Sequence, residues 1–561
     1  VVQIFAAWTF EQEGLIHFTS ESGCLDLKKG SGFAGENGNH ANTRAISSAS
    51  HAFRNFALLG GYAKDAAALT QPIRTPENQP SARARVVAGS LLQAGARILG
   101  LFCGLATMAF LTRHLQLGDY GRYALAVVLV NWLSGSLSLL MGGALVRLLA
   151  GSADGVRYAV AMLRLMGLAG CAAGGVVYVC AGWIALALGS PQIEELLKIL
   201  AMDIPIAALT SVYLGILTAR GQNGKNATAI LSGWGLQFLG VLLLVGNGWA
   251  AQGAVWAMVA ADFVKLILLG AMCGALPFGG VRVGFSELWK KSRLMAGTQI
   301  LLRISETMDL VAVKFFLGSP QATGLYAGAQ NIGFAATMVF MPSSSIVLQS
   351  VSASRLRESH VEASHVATSF LRAAFIYGGA LVAMTVFSQD IAVFLLGPNF
   401  ADSGPLLAWL LVAVAFRISA GAGRTLIAAA GEKPSIMLPL AIVVGLGLAV
   451  YALVIPRFGA VGGAAAAVGM AFCTAVVSLS DGLRLMKIGL PGGTLLRVVT
   501  ASASTALFGL FLKRAEWHVL ADLTLATLFY GVALILLREW VPTRAHLEKA
   551  KAALLSRFSK R

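Results

Sequence analysis

Charge is scarce in this chain. Only 12% of its 561 residues are Asp, Glu, Lys or Arg, against about 25% in a soluble domain. Acidic residues are the scarcer kind, 26 against 43 Lys and Arg, for a net charge of +17. So few charges exclude a surface solvated by water. Nor does the positive excess point to nucleic acid. That reading requires a basic soluble domain, whereas these basic residues sit in short segments between apolar runs. Cysteine is rare as well. Cys24, Cys103, Cys171, Cys180, Cys273 and Cys473 show no CxxC spacing. Five of the six fall in apolar runs, where a thiol is a small packing group and not a metal ligand or half of a disulfide. The sequence also lacks a nucleotide-binding loop, an ATPase motif and any metal-ligand constellation, so neither metal nor cofactor is expected.

What is present is hydrocarbon. Hydrophobic residues make up 57% of the chain and the mean hydropathy is +0.73. From Val86 almost to the C-terminus, apolar stretches recur that reach about 20 residues, enough to cross a bilayer core as helix. They are continuous and rich in Leu, Ala, Val and Gly, without the alternation of about 10 residues that marks barrel strands. The fold expected is therefore an all-α polytopic membrane protein. Fourteen transmembrane helices are expected, from 86–112 and 122–149 to 494–512 and 518–537.

Two ends differ from this body. Residues 1–85 are polar, rich in Gly, Ser and Asn, and hold no methionine, the first being Met108. They carry no basic stretch followed by an apolar core and so are no signal peptide. The expectation is a disordered extension, or a start placed too far upstream. At the other end, residues 541–561 place Leu547, Leu554, Leu555 and Phe558 on one helical face opposite Lys and Arg. This fits a helix on anionic lipid, and a solvated basic tail fits as well.

Loop charge orients the spans. One set of alternate loops and span ends carries sixteen Lys and Arg, Arg220, Lys290, Lys291 and Lys433 among them. The other set carries six (Arg113, Arg122, Lys198, Arg457, Lys513 and Arg514), or seven with Lys314. The positive-inside rule puts the richer set in the cytoplasm, and both termini with it.

The chain also repeats itself. GARILGLF at 95–102 is similar to GTQILLRI at 297–304, and IALALGSP at 184–191 to IAVFLLGP at 391–398. AAQGAVWAMVAADF at 250–263 is similar to GAVGGAAAAVGMAF at 459–472, and the offset drifts only from 202 to 210. Two six-helix repeats, 86–276 and 277–490, are expected, followed by two additional helices in 491–540. Six is even, so both repeats insert in parallel orientation, related by a twofold along the membrane normal, with substrate between them.

Ionisable groups within spans are costly unless paired or wet, so each is a functional candidate. Arg97 lies near the middle of span 1 and Arg303 near the middle of span 7. Glu306 and Asp309 follow Arg303 at i+3 and i+6, on one broad face. Either Arg303 neutralises them, or one of them carries a coupling ion. Arg417 in span 10 is another cavity candidate. Arg164 and Arg372 lie near span ends at corresponding places in the two repeats. Snorkelling explains them, and so does a symmetric cytoplasmic vestibule. Asp262 and Lys265, at i and i+3, read as a structural pair, and Asp203 reads as a solvated residue near the outer face. Asn131, Gln330 and Asn331 can hydrogen-bond sugars or pack between helices.

Three segments carry a family pattern. FLTRHLQLGDYGRYALAVVLV at 110–130, its partial copy FFLGSPQATGLYAGAQNI at 315–332, and FGAVGGAAAA at 458–467 resemble the signatures of polysaccharide-export flippases. Over about residues 86–490 the chain resembles the Wzx-type lipid-linked oligosaccharide flippases of the multidrug/oligosaccharidyl-lipid/polysaccharide exporter superfamily. The two additional helices resemble the layout of the lipid II flippase branch, but the first span lacks the Arg-Asp-rich segment of that branch.

The resemblance implies a carrier, not an enzyme, in the bacterial inner (plasma) membrane. It would move an undecaprenyl-diphosphate-linked oligosaccharide between leaflets by alternating access, for cell-surface polysaccharide biosynthesis. Arg97 and Arg303 would grip the diphosphate through planar guanidinium forks, with Arg417 beside them. Glu306 or Asp309 would carry a coupling proton or sodium ion. The partners implied are the lipid-linked oligosaccharide, membrane lipids and a polysaccharide polymerase machinery. The alternative within the superfamily is an ion-coupled multidrug exporter, which requires an acidic cavity. A membrane-embedded polymerase or ligase would need acid/base groups at an aqueous face, and Glu194, Glu195 and Asp402 form no such constellation.

Overall fold

A computed structural model describes residues 80–151, 155–274, 285–356, 359–430, 437–515 and 518–539. The described residues are helical almost throughout and contain no strand. The expectations for residues 1–79 and for the tail from 540 onward lie outside them.

The first half comprises α1 (Pro80–His114), α2 (Leu117–Gly151), α3 (Gly155–Ala187), α4 (Ile193–Ala201), α5 (Asp203–Ala219), α6 (Asn223–Gly246) and α7 (Ala250–Cys273). The second comprises α8 (Phe285–Leu317), α9 (Pro320–Leu356), α10 (His360–Ala383), α11 (Ser388–Leu396), α12 (Ser403–Ala430) and α13 (Met437–Met486). Two more helices follow, α14 (Gly492–Leu512) and α15 (Val519–Leu536). Among the described residues, ten candidate spans are long and apolar enough to cross a membrane. Helices α2, α8 and α9, which hold the expected spans 122–149, 293–316 and 325–351, are not among the ten. The spans expected at 435–455 and 460–486 form one element, α13, kinked at Gly459, whose φ of 65° suits a residue without Cβ.

Packing runs in parallel in the two halves. Helix α2 packs on α5 and α5 on α3, and in the second half α9 packs on α12 and α12 on α10. Helix α1 packs on α6 as α8 packs on α13. Between the halves, α2 meets both α8 and α9. The closest approach is glycine on glycine. A Cβ on Gly121 would lie 2.3 Å from the carbonyl oxygen of Pro320, and one on Gly324 would lie 2.2 Å from that of Leu117. The contact is reciprocal: residues 117 and 121 stand to 320 and 324 at one offset, 203. A side chain at either place would force the helices apart.

Proline and glycine also shape α4–α5. Pro205 has no N–H for the carbonyl of Ala201, so the helix bends there. Gly174 of α3 lets its backbone approach, since a Cβ would lie 2.6 Å from that carbonyl oxygen. The bend places Asp203, the first residue of α5, in the bundle at 1% exposure. This corrects the expectation of a solvated Asp203.

Helices α14 and α15 dock on α10. Ser502 Oγ donates to Gly379 O at 2.9 Å and the Tyr530 hydroxyl to Ile376 O at 2.9 Å. At one end Arg497 pairs with the buried Glu539 at 2.9 Å.

Candidate functional site

A cavity of about 410 Å³ lies where the two halves meet, walled by α1, α2, α6, α8 and α9. Its polar lining comes from Thr107, Tyr120, Tyr123, Asn131, Trp132, Trp234, Gln237, Thr307, Gln330 and Asn331. Among the described residues, Arg303 is the single charged side chain in the lining, and no carboxylate lines it. Among the described residues, Arg303 makes no ion pair. It lies against Gly135 of α2, where a Cβ would come within 3.1 Å of its guanidinium. One turn on, Trp132 Nε1 donates to Thr307 Oγ1, which itself donates to Arg303 O at 2.8 Å. Asn331 Nδ2 donates to the Tyr120 hydroxyl at 2.9 Å across the halves. Asn131, Gln330 and Asn331, named from sequence as possible hydrogen-bonding groups, are all in this wall.

The carboxylates of α8 turn elsewhere. Asp309, 1% exposed, accepts from the Tyr326 hydroxyl at 3.0 Å, Gln330 Nε2 at 2.7 Å and Leu310 N at 3.0 Å. Arg417 of α12 completes the set at 3.3 Å. Glu306 pairs with Arg424, also of α12, at 3.3 Å. The charges of α8 are therefore sorted, Arg303 to the cavity and Glu306 and Asp309 to two arginines of α12. Arg417, expected in the cavity, is 8% exposed and stands outside its lining. Arg424 was missed from the sequence, although its spacing of seven from Arg417 puts both on one helical face. Gln330 joins the two environments, since it lines the cavity and donates to Asp309.

The remaining candidates are dispersed. Arg97 is exposed and outside the lining, on the α1 stripe that Leu101, Gly104, Leu105 and Met108 continue into the cavity. Arg164 is half-buried on α3 and Arg372 exposed on α10. Helix α3 packs on α5, and α10 on α12 and α14, so each arginine stands within its own half. The Asp262–Lys265 pair is formed as expected, within α7.

Residues 110–405, more than half of the chain, match the family model described as "polysaccharide biosynthesis protein". No curated protein matches. Among solved structures, the chain is similar to a lipid II flippase MurJ in an inward closed conformation, with a TM-score of 0.65 and 15% identity over 81% of this chain and 99% of that one. It is also similar to an inward-facing multidrug resistance MATE family transporter of the MOP superfamily, with a TM-score of 0.58 and 14% identity over 71% and 98%. A third, from Pyrococcus furiosus, is a MOP superfamily transporter noted for the reverse polarity of its binding pocket. Its TM-score is 0.58 and its identity 14%, over 75% and 99%. At these identities the likeness establishes the fold alone.

Proposed function

The chain belongs to the polysaccharide biosynthesis protein family, and on that premise we propose that it is a flippase for lipid-linked oligosaccharide. One observation carries the reading: among the described residues, the cavity between the halves holds a single unpaired cation, Arg303, and no carboxylate. Such a site suits an anion carried by an uncharged, hydroxyl-rich group. Arg303 would hold a phosphate oxygen of an undecaprenyl diphosphate through its planar fork. Trp132, Trp234 and the amides of Asn131, Gln237 and Asn331 would contact sugar hydroxyls and ring faces. Arg97, on the same α1 stripe, would meet the phosphates at the mouth. Exporters of cationic drugs need the opposite sign, which disfavours that alternative. A membrane enzyme is disfavoured too, because the cavity offers no acid/base pair.

Orientation follows from loop charge. The turns at 114–117 and 317–320 would face outward, and both termini would be in the cytoplasm of a cell whose inner membrane holds the chain. The reciprocal contact of Gly121 and Gly324 then closes the outer side, leaving the cavity to load from within. Two halves related by a twofold along the membrane normal would rock about this contact. Fourteen spans fit the orientation, as an even number must. The remaining partners in this reading are membrane lipids, a coupling ion and the polymerase machinery that consumes the product. Arg417 and Asp309 would hold α8, α9 and α12 together and would not touch substrate. Arg164 and Arg372 would meet headgroups at the cytoplasmic side.

The test is complementation of a flippase-deficient strain, with protein levels in the membrane measured beside it. Arg303→Ala should abolish polymer export while the protein stays in the membrane at its normal level. Arg303→Lys should rescue in part, as a compact ammonium lacks the bidentate fork. Full export by Arg303→Ala would reject the cationic cavity.

A further inference from the structure

At the α8–α12 contact each carboxylate has its own cation, whereas at the α5–α7 contact two carboxyls share one. Glu306 and Asp309 each have an arginine. In the first half, Asp203 of α5 faces two charged groups of α7, Asp262 and Lys265, and its carboxyl is within hydrogen-bonding reach of that of Asp262. Lys265 Nζ already donates to Asp262. Two carboxyls thus share one ammonium. Asp203 is 1% exposed, and its Oδ1 has no hydrogen-bond partner among the described residues.

Among the described residues, Lys265 is the one cation that bears on Asp203. Helix α3 approaches Asp203 with Gly170 and Gly174, whose neighbours are Pro205 and Ala201. Helix α6 presents Gly233 to the Lys265 stem. On α4, Lys198 is taken by Glu194, and Glu195 accepts from Gln252 at 2.5 Å. On α2, Arg122 pairs with Asp119 at 2.6 Å. One negative charge is left over beside Asp203, which is 1% exposed, and that is costly. Moreover, two ionised carboxylates cannot hydrogen-bond each other, because both are acceptors only. A single proton cures both defects. It supplies the missing donor between the carboxyls and brings the cluster to one negative and one positive charge.

We propose that the Asp203–Asp262 carboxyl pair is a proton-binding site of this chain. Binding takes one proton from water onto one carboxylate oxygen, and release returns it, with no other bond made or broken. Asp309, by contrast, is already engaged by Arg417 and three hydrogen-bond donors. Lys265, as a resident ammonium, also leaves little room for a metal cation. On the flippase reading, and only there, this proton is the coupling ion.

The site can be tested without substrate. The full chain, purified into lipid nanodiscs, is titrated with acid and base alone and followed by infrared difference spectroscopy. The expected result is a protonated-carboxyl band that vanishes as pH rises, with one proton released per chain. Asp203→Asn and Asp262→Asn should each lose the band, Asp203→Glu should shift it, and Glu306→Gln should keep it. A native chain without the band, or a band that survives in both Asn variants, overturns the site. Should Asp203→Asn not fold, Asp262→Asn and Asp203→Glu still decide. A second arm reconstitutes the chain with lipid-linked oligosaccharide and imposes a pH gradient. No flipping by the native chain would sink the flippase reading while leaving the infrared result standing. Flipping that ignores the gradient would overturn the coupling role.

Discussion

The two halves share a packing plan, but the carboxyl clusters at α8–α12 and at α5–α7 treat charge differently. In the second half, two carboxylates meet two guanidiniums, and the inner pair of Asp309 and Arg417 is dressed with three further donors. In the first, two carboxyls meet one ammonium, and an oxygen of Asp203 is unsatisfied. The lesson is one of division of labour. A cluster in which each carboxylate has its own cation fixes the helices it joins, because either charge left alone would be expensive. An unbalanced cluster is poised to change its charge state. Among the described residues, the cavity between the halves has one cation, Arg303, which neither cluster neutralises.

The largest expected effect breaks the balanced side. Arg417→Met leaves Asp309 ionised and buried without its cation, and loss of one partner from a buried pair costs about 3–5 kcal/mol. The variant should melt far below the native chain in detergent, or be missing from the membrane. Arg417→Met with Asp309→Leu removes both charges and should recover most of the loss, as apolar replacement of a buried pair is often neutral. A single variant as stable as the native chain would show that the pair is not structural.

How much of this was legible in the sequence follows from the same residues. The membrane fold was legible because a bilayer demands long apolar helices, and the family because 110–130 and 315–332 carry its pattern. Charge placement was legible only by residue type. Arg303, Glu306 and Asp309 read as one broad face, but 303 and 309 stand about 120° apart on a helix. That is enough to separate a cavity wall from a helix contact. The partners of the two carboxylates lie 108 and 118 residues away in the chain, beyond any local rule. Asp203 looked solvated because it lies near the outer face, but as the first residue of α5 it is buried.

A smaller effect is expected on the unbalanced side. Asp262→Asn leaves Asp203 facing Lys265, one charge of each sign, so no buried charge is stranded. The change removes one hydrogen-bond partner of Lys265 and should cost about 1 kcal/mol. The contrast with Arg417→Met sharpens the comparison, since both substitutions delete one charge from a buried cluster. If Asp262→Asn destabilised the chain as severely as Arg417→Met, the first-half cluster would be structural in the same sense as the second.

The smallest effect is expected at Glu306 and Arg424, whose side chains are 26% and 27% exposed. They belong to the balanced cluster by sign but not by burial. An ion pair that water can reach gains little from its Coulomb attraction and loses the freedom of two long side chains, with a typical net worth of about 0.2–1 kcal/mol. Glu306→Gln, Arg424→Gln and the double variant form a cycle in which melting in detergent isolates the coupling. A coupling inside that range, weakening as salt is raised, would assign the structural role to Asp309 and Arg417 alone. One of about 3 kcal/mol or more, the cost of breaking a buried pair, would mean that both pairs of α8 and α12 act as one buried unit. Balance of sign, and not depth, would then set the two halves apart.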